Sequence, residues 1–125
     1  MKIANIGGRP YLITSASTAQ PIMNAPDVLT ALTQPASLTL GSTVQFSADQ
    51  LEAPLTTSQQ IFAIGMNFLD HSEEIHIKLP TVPSVFTKFS SSLAKPTATV
   101  RMHGPKTDWE TELVVVIGLW WPQYS

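Results

Sequence analysis

Thr111-Glu112-Leu113-Val114-Val115-Val116-Ile117-Gly118 is a β-branched apolar run closed by glycine. A run of that length without polar alternation reads as a strand covered on both faces, and it sets the expectation of a strand-rich chain. Just upstream, Glu110 and Glu112 stand two apart, a spacing that sends both side chains of a strand to one face, shared with Val114 and Val116. Two carboxylates withdrawn from water together are costly unless one takes up a proton, or a cation or basic side chain stands between them. A hard divalent ion with oxygen ligands, Mg²⁺ or else Mn²⁺ or Ca²⁺, resolves the conflict and leaves water sites for a substrate. The plainer alternative is that the pair marks the wet end of a strand buried only from Leu113. That is the commoner meaning of Glu-x-Glu, and the neighbouring Asp108 and Trp109 shift the balance only slightly.

Further strands are expected on either side of the linker-like stretch Ala53 to Gln60. Beyond it, Ile61 to Gly65 is an apolar run ending in glycine, Ser84 to Phe89 alternates as a strand does, and Ala98 to Met102 forms another short candidate. Before it, Lys2 to Ile6 and Tyr11 to Thr14 flank Gly7-Gly8 in the form of a hairpin. Asp27 is the only charged residue between Pro10 and Ala48, and Asp27 to Leu32 has the apolar spacing of a short helix after Pro26. The expected organisation is a small β-rich N-terminal region over 1–55, a second domain over 56–118 and an atypical tail over 119–125. The fold class is mainly β, with a few helices (α+β).

Composition narrows the function. A chain of 125 residues with 43% apolar and 13% charged residues suits one small domain or a piece of a larger one. Without cysteine there is neither a disulfide framework nor a thiolate metal site. Seven basic against nine acidic residues, a net charge of −2, provide no basic field for nucleic acid or an anionic membrane surface. No apolar run approaches the ~20 residues of a membrane span. Gly7-Gly8-Arg9-Pro10 interrupts the stretch in which a signal peptide would need continuous apolar sequence, so the expected address is cytoplasmic.

His71 and Glu74, three apart in Asn67-Phe68-Leu69-Asp70-His71-Ser72-Glu73-Glu74, are neighbours on a helical turn. A carboxylate beside an imidazole raises its basicity and prepares it to take a proton from water. The structural alternative is a capping box made by Asp70 and Glu73, which leaves His71 and Glu74 available, so the two readings are compatible. His76 and His103 read as surface residues. Lys88, on the same strand as Phe86, either meets a carboxylate on a substrate or reaches solvent along the strand edge.

Taken in order, Ile64-Gly65-Met66-Asn67-Phe68-Leu69-Asp70-His71-Ser72-Glu73-Glu74, Pro83-Ser84-Val85-Phe86-Thr87-Lys88-Phe89-Ser90-Ser91-Ser92-Leu93 and Asp108-Trp109-Glu110-Thr111-Glu112 with its valine run resemble the fumarylacetoacetate hydrolase family. The resemblance covers roughly residues 61 to 118, and the second domain then reads as the start of that family's catalytic domain. It implies a mixed β-roll, with Glu110 and Glu112 as ligands of Mg²⁺, Mn²⁺ or Ca²⁺. It also implies His71 and Glu74 as the dyad that activates water from a short helix able to order over substrate, and Lys88 beside the active site. The implied reaction is metal-dependent hydrolysis of a carbon–carbon bond in an acylpyruvate-like or fumarylacetoacetate-like 2,4-dioxo acid, the ion stabilising the departing enolate. Full-length relatives are expected to be homodimers.

After Gly118, Leu119-Trp120-Trp121-Pro122-Gln123-Tyr124-Ser125 departs from the family pattern, in which more strands and a further acidic ligand follow. The expectation is a truncated form carrying the first half of a member and inactive, or nearly so, as written. Two other functions stand beside the hydrolase. One is a hydratase, isomerase or decarboxylase of 2-oxo acids, including those from aromatic catabolism. The other is a non-catalytic β-rich fragment that pairs through its valine strand.

Overall fold

The computed structural model describes residues 1–56 and 60–117. The chain is strand-rich with two short α-helices among the described residues. It divides into two compact units, one made of Met1–Leu55 with the residues from Ala94 on, the other of Thr56–Leu93. The tail expected over 119–125 lies outside the described residues.

The first unit is built on a four-stranded antiparallel sheet in the order β1 (Ile3–Ile6), β2 (Arg9–Ile13), β3 (Thr18–Pro21), β4 (Val44–Gln45). Gly7 and Gly8 turn β1 into β2 with φ of +57° and +82°, the left-handed pair that a two-residue turn between right-twisted strands demands. The second strand of this hairpin begins two residues earlier than the sequence suggested, at Arg9, and so takes in Pro10. Ile6 and Arg9 close the turn, which leaves Asn5 and Pro10 facing each other at the next, non-hydrogen-bonded position. The missing N–H of Pro10 therefore costs nothing toward β1, and its ring is fully buried.

α1 (Val28–Thr33) is capped by Asp27, whose carboxylate accepts from the Thr30 amide at 2.7 Å. It packs on β1 and β2 and buries Val28 and Ala31; Ile6, Ala19 and Ile22 complete a small core. The stretch 50–53 lies along β1 as a partial extra strand. Ile6 bridges Leu51, the Glu52 amide donates to the Asn5 carbonyl at 2.9 Å, and the Asn5 side-chain amide donates to the Ala53 carbonyl at 2.9 Å. Residues 48–50 form a 3₁₀ turn closed by a capping box between Ser47 and Gln50.

In the second unit β5 (Ile61–Gly65) pairs antiparallel with β6 (Ser84–Lys88), from Ile61 opposite Lys88 to Gly65 opposite Ser84. Their connection carries α2 (Leu69–Glu74). Ile61, Ala63, Phe86 and Lys88 share one face of this ribbon; Phe62, Ile64, Val85 and Thr87 share the other.

Two expected strands do not form. Ala98 to Met102 is irregular, and residues 107–117 are neither helix nor strand. The expectation that the valine run is covered on both faces is overturned as well, since Leu113, Val114, Val115 and Ile117 are all at least 75% exposed. High β-propensity does not make a strand until another backbone supplies its hydrogen bonds, and no described strand pairs with this run. The capping box expected at Asp70 and Glu73 is likewise absent. The helix cap stands two residues earlier, at Phe68, which makes no side-chain bond, and Asp70 instead lies in the first turn, where a carboxylate suits the helix dipole.

Candidate active site

The chain leaves β5 at Gly65, turns through Met66 at φ +59°, and enters α2 within three residues. Helical bonding begins with the Ser72 amide donating to the Phe68 carbonyl at 3.2 Å. At the other end the His76 amide donates to the Glu73 carbonyl at 3.2 Å and the Ile77 amide to the Ser72 carbonyl at 3.0 Å, with His76 at φ +55°. That crossed pair is a Schellman closure, with histidine where glycine is usual. Ser72 is buried, and its hydroxyl donates to the Ile77 carbonyl, tying the closure to the helix.

His71 is half-buried and Glu74 exposed, both on the single turn of α2. This is the spacing at which a carboxylate orients an imidazole. His76, expected at the surface, is indeed exposed, and the structure adds its role in ending α2. Lys88 is exposed at the end of β6, on the Phe86 face. Between Ile64–Asn67 and Leu79–Pro83 runs an open groove of about 290 Å³, with no charged side chain on its walls. His71, Glu74 and Lys88 thus fall together in the second unit, while Glu110 and Glu112 are exposed residues of the segment grouped with the first.

Among the described residues no three His, Asp or Glu side chains form a metal-holding group. The donors fit a hard cation in kind, since Glu110 and Glu112 offer only oxygen, and Mg²⁺ is commonly held by one or two carboxylates with the remaining positions left to water and substrate. Away from these residues, Asp49 is held below the ordinary aspartate value. The main cause is the Ser47 hydroxyl bonded to it, followed by its own backbone amide, with Lys95 adding a little and desolvation opposing.

Sequence reading missed the left-handed residues at either end of α2. The available signal at position 66 pointed to the wrong residue, because the glycine that could adopt positive φ freely stands one place earlier, at 65.

Residues 60–121 match the family model for the fumarylacetoacetate (FAA) hydrolase C-terminal domain. The chain belongs to the fumarylacetoacetate hydrolase family. Among curated family members, the mitochondrial oxaloacetate tautomerase fahd2 of Xenopus laevis is 41% identical over 70 residues, which is 54% of this chain and 22% of that protein. The human mitochondrial oxaloacetate tautomerase FAHD2A is 40% identical over 68 residues, 53% of this chain and 22% of its own length. A 2,4-didehydro-3-deoxy-L-rhamnonate hydrolase from a Sphingomonas strain is 43% identical over 67 residues, 52% of this chain and 24% of that enzyme. The matched part of the chain therefore spans less than a quarter of the length of these curated relatives. In fold, it superposes on a Mycobacterium smegmatis protein assigned as HpcE with a TM-score of 0.64 and 24% identity, covering 82% of this chain and 40% of that one. Among the described residues no helix is long and apolar enough to cross a membrane.

Proposed function

We propose that this chain carries the proton-transfer and carboxylate-ligand parts of a site that acts on 2-oxo or 2,4-dioxo acids through an enolate. The observation behind this reading is that one family match, residues 60–121, contains His71 and Glu74 on a single helical turn, Lys88 on β6 and the Glu110-x-Glu112 pair. His71, oriented by Glu74, takes a proton from the water that attacks the distal carbonyl of a 2,4-dioxo acid, and the carbon–carbon bond to the 2-oxo acid then breaks. Lys88 offers a positive charge to a substrate carboxylate. Glu110 and Glu112 would hold Mg²⁺, Mn²⁺ or Ca²⁺, which when bound supplies Lewis-acid stabilisation of enolate charge.

A second reading is favoured by the relatives named as oxaloacetate tautomerases. In tautomerisation the same imidazole takes the proton from C3 of a 2-oxo acid and a proton is returned to the enolate oxygen, so a C–H bond breaks and an O–H bond forms while no carbon–carbon bond is cleaved. Both readings need the same base and differ in what the substrate presents to it. A cytoplasmic address is proposed beside relatives that are mitochondrial, and fractionation of the source cells decides between the two compartments.

The test combines calorimetric titration of the chain with Mg²⁺ and Mn²⁺ and ultraviolet assays of acylpyruvate cleavage and oxaloacetate enol–keto conversion. Weak cation binding that disappears in Glu110→Gln/Glu112→Gln is expected, with low turnover that His71→Ala removes. Cation binding identical in the double variant, or turnover indifferent to His71, would overturn the proposal.

A further inference from the structure

Met66 and His76 are the two non-glycine residues with positive φ among the described residues, at +59° and +55°, and they flank α2 within the connection from β5 to β6. Left-handed backbone is costly for a residue with a β-carbon, and such strain persists only where the surroundings impose it. Glycine would adopt either turn without strain. At Met66 one is available next door, yet Gly65 stays in the strand, where an added β-carbon would meet Phe86 only at an ordinary 3.5 Å.

What a β-carbon provides in return is a narrow well. A residue confined to the small left-handed region cannot drift far in φ or ψ, whereas glycine occupies a broad basin around the same mean. α2 has little else to fix its ends. It is six residues long and its N-cap, Phe68, makes no side-chain bond, while its C-terminal end is closed by the two crossed backbone bonds around His76 and by the Ser72 hydroxyl on the Ile77 carbonyl.

We propose that Met66 and His76 are a pair of positioning residues: their constrained left-handed backbones, rather than contacts of their side chains, set where α2 begins and ends and thereby fix the place of His71. Its importance for catalysis rests on the reading of His71 as the base, but the positioning itself does not.

The chain contains only three histidines, so the His71 ring signals in a carbon–proton NMR spectrum can be assigned with a His71→Gln variant. The expected result is a contrast between glycine and alanine. Met66→Gly and His76→Gly should leave the thermal midpoint unchanged or raised, while the His71 ring signal broadens or splits and amide exchange in α2 speeds up several-fold. Met66→Ala and His76→Ala keep the β-carbon and should reproduce the unaltered chain in both measurements. If alanine behaves like glycine, the side chains were acting and the proposal is wrong. It is equally wrong if the glycine variants leave the His71 signal and the exchange rates unchanged, or if they lower the midpoint. No substrate or metal enters these measurements, so a failure of the enolate chemistry would leave this result standing, and the converse also holds.

Discussion

Asp27 stabilises the first unit through one hydrogen bond, from the Thr30 amide at 2.7 Å to its carboxylate, at the start of a helix only six residues long. Removing it leaves an amide donor without its acceptor and takes a negative charge from the positive end of the helix, so Asp27→Ala should cost about 1 kcal/mol in urea unfolding. Asp49 behaves differently because it is fully exposed. Its lowered folded-state value means that its stabilising effect is complete above the ordinary aspartate value and is lost as pH falls through the lowered one. Ser47→Ala removes the first cause of the depression. Carbon-detected titration should then show Asp49 protonating at higher pH, closer to an ordinary aspartate, with little change in stability at neutral pH because solvent screens the site. A titration curve unmoved by the substitution would assign the depression to the backbone amide and Lys95 instead.

At the scale of elements, Gly41 is where a β-carbon has no room. One placed there would lie 2.8 Å from Cγ of Pro21 and 3.3 Å from Sδ of Met23, while the Gly41 amide is held to the Pro21 carbonyl at 2.9 Å. A proline ring cannot swing aside as a flexible side chain would. Gly41→Ala should therefore destabilise the first unit by about 1–3 kcal/mol, read by chemical denaturation. The elements legible from sequence were the ones decided locally. Gly7-Gly8 between two apolar runs made the first hairpin readable, Asp27 after Pro26 announced α1, and the alternation of Ser84 to Lys88 announced β6. What could not be read depended on distant backbone. The anchoring of Ala53 by the Asn5 side chain spans 48 residues of sequence, and the valine run had every local property of a strand but no described partner. The same division runs through the site. His71 and Glu74 were placed together because they stand three positions apart, whereas the left-handed turn at Met66 follows from how β5 must enter α2 and leaves no mark of its own in the composition.

At the scale of the molecule, the exposed apolar surface sets the behaviour in solution. Leu113, Val114, Val115 and Ile117 are 83%, 75%, 75% and 85% exposed, and the run from Leu113 to Ile117 holds no charge and no proline. A β-prone, uncharged and unpaired segment of this kind is a template for pairing with another copy of itself. The ribbon of the second unit adds Phe62 and Val85, 64% and 56% exposed on one of its faces. Sedimentation should therefore show reversible, concentration-dependent association that sulfate strengthens, since excluded salts favour burial of apolar surface. Val115→Lys places a charge in the middle of the run and should shift the distribution toward monomer, whereas Val44→Lys, on a strand already paired with β3, should not. In a longer relative the opposite sign is expected. If the matching valine there lies inside a completed sheet, lysine at that position would destabilise the fold instead of keeping it soluble. Comparing the two backgrounds separates a run that is adhesive because it is uncovered from one that is adhesive by composition alone, and equal loss of stability in both would show that the run is already buried in this chain.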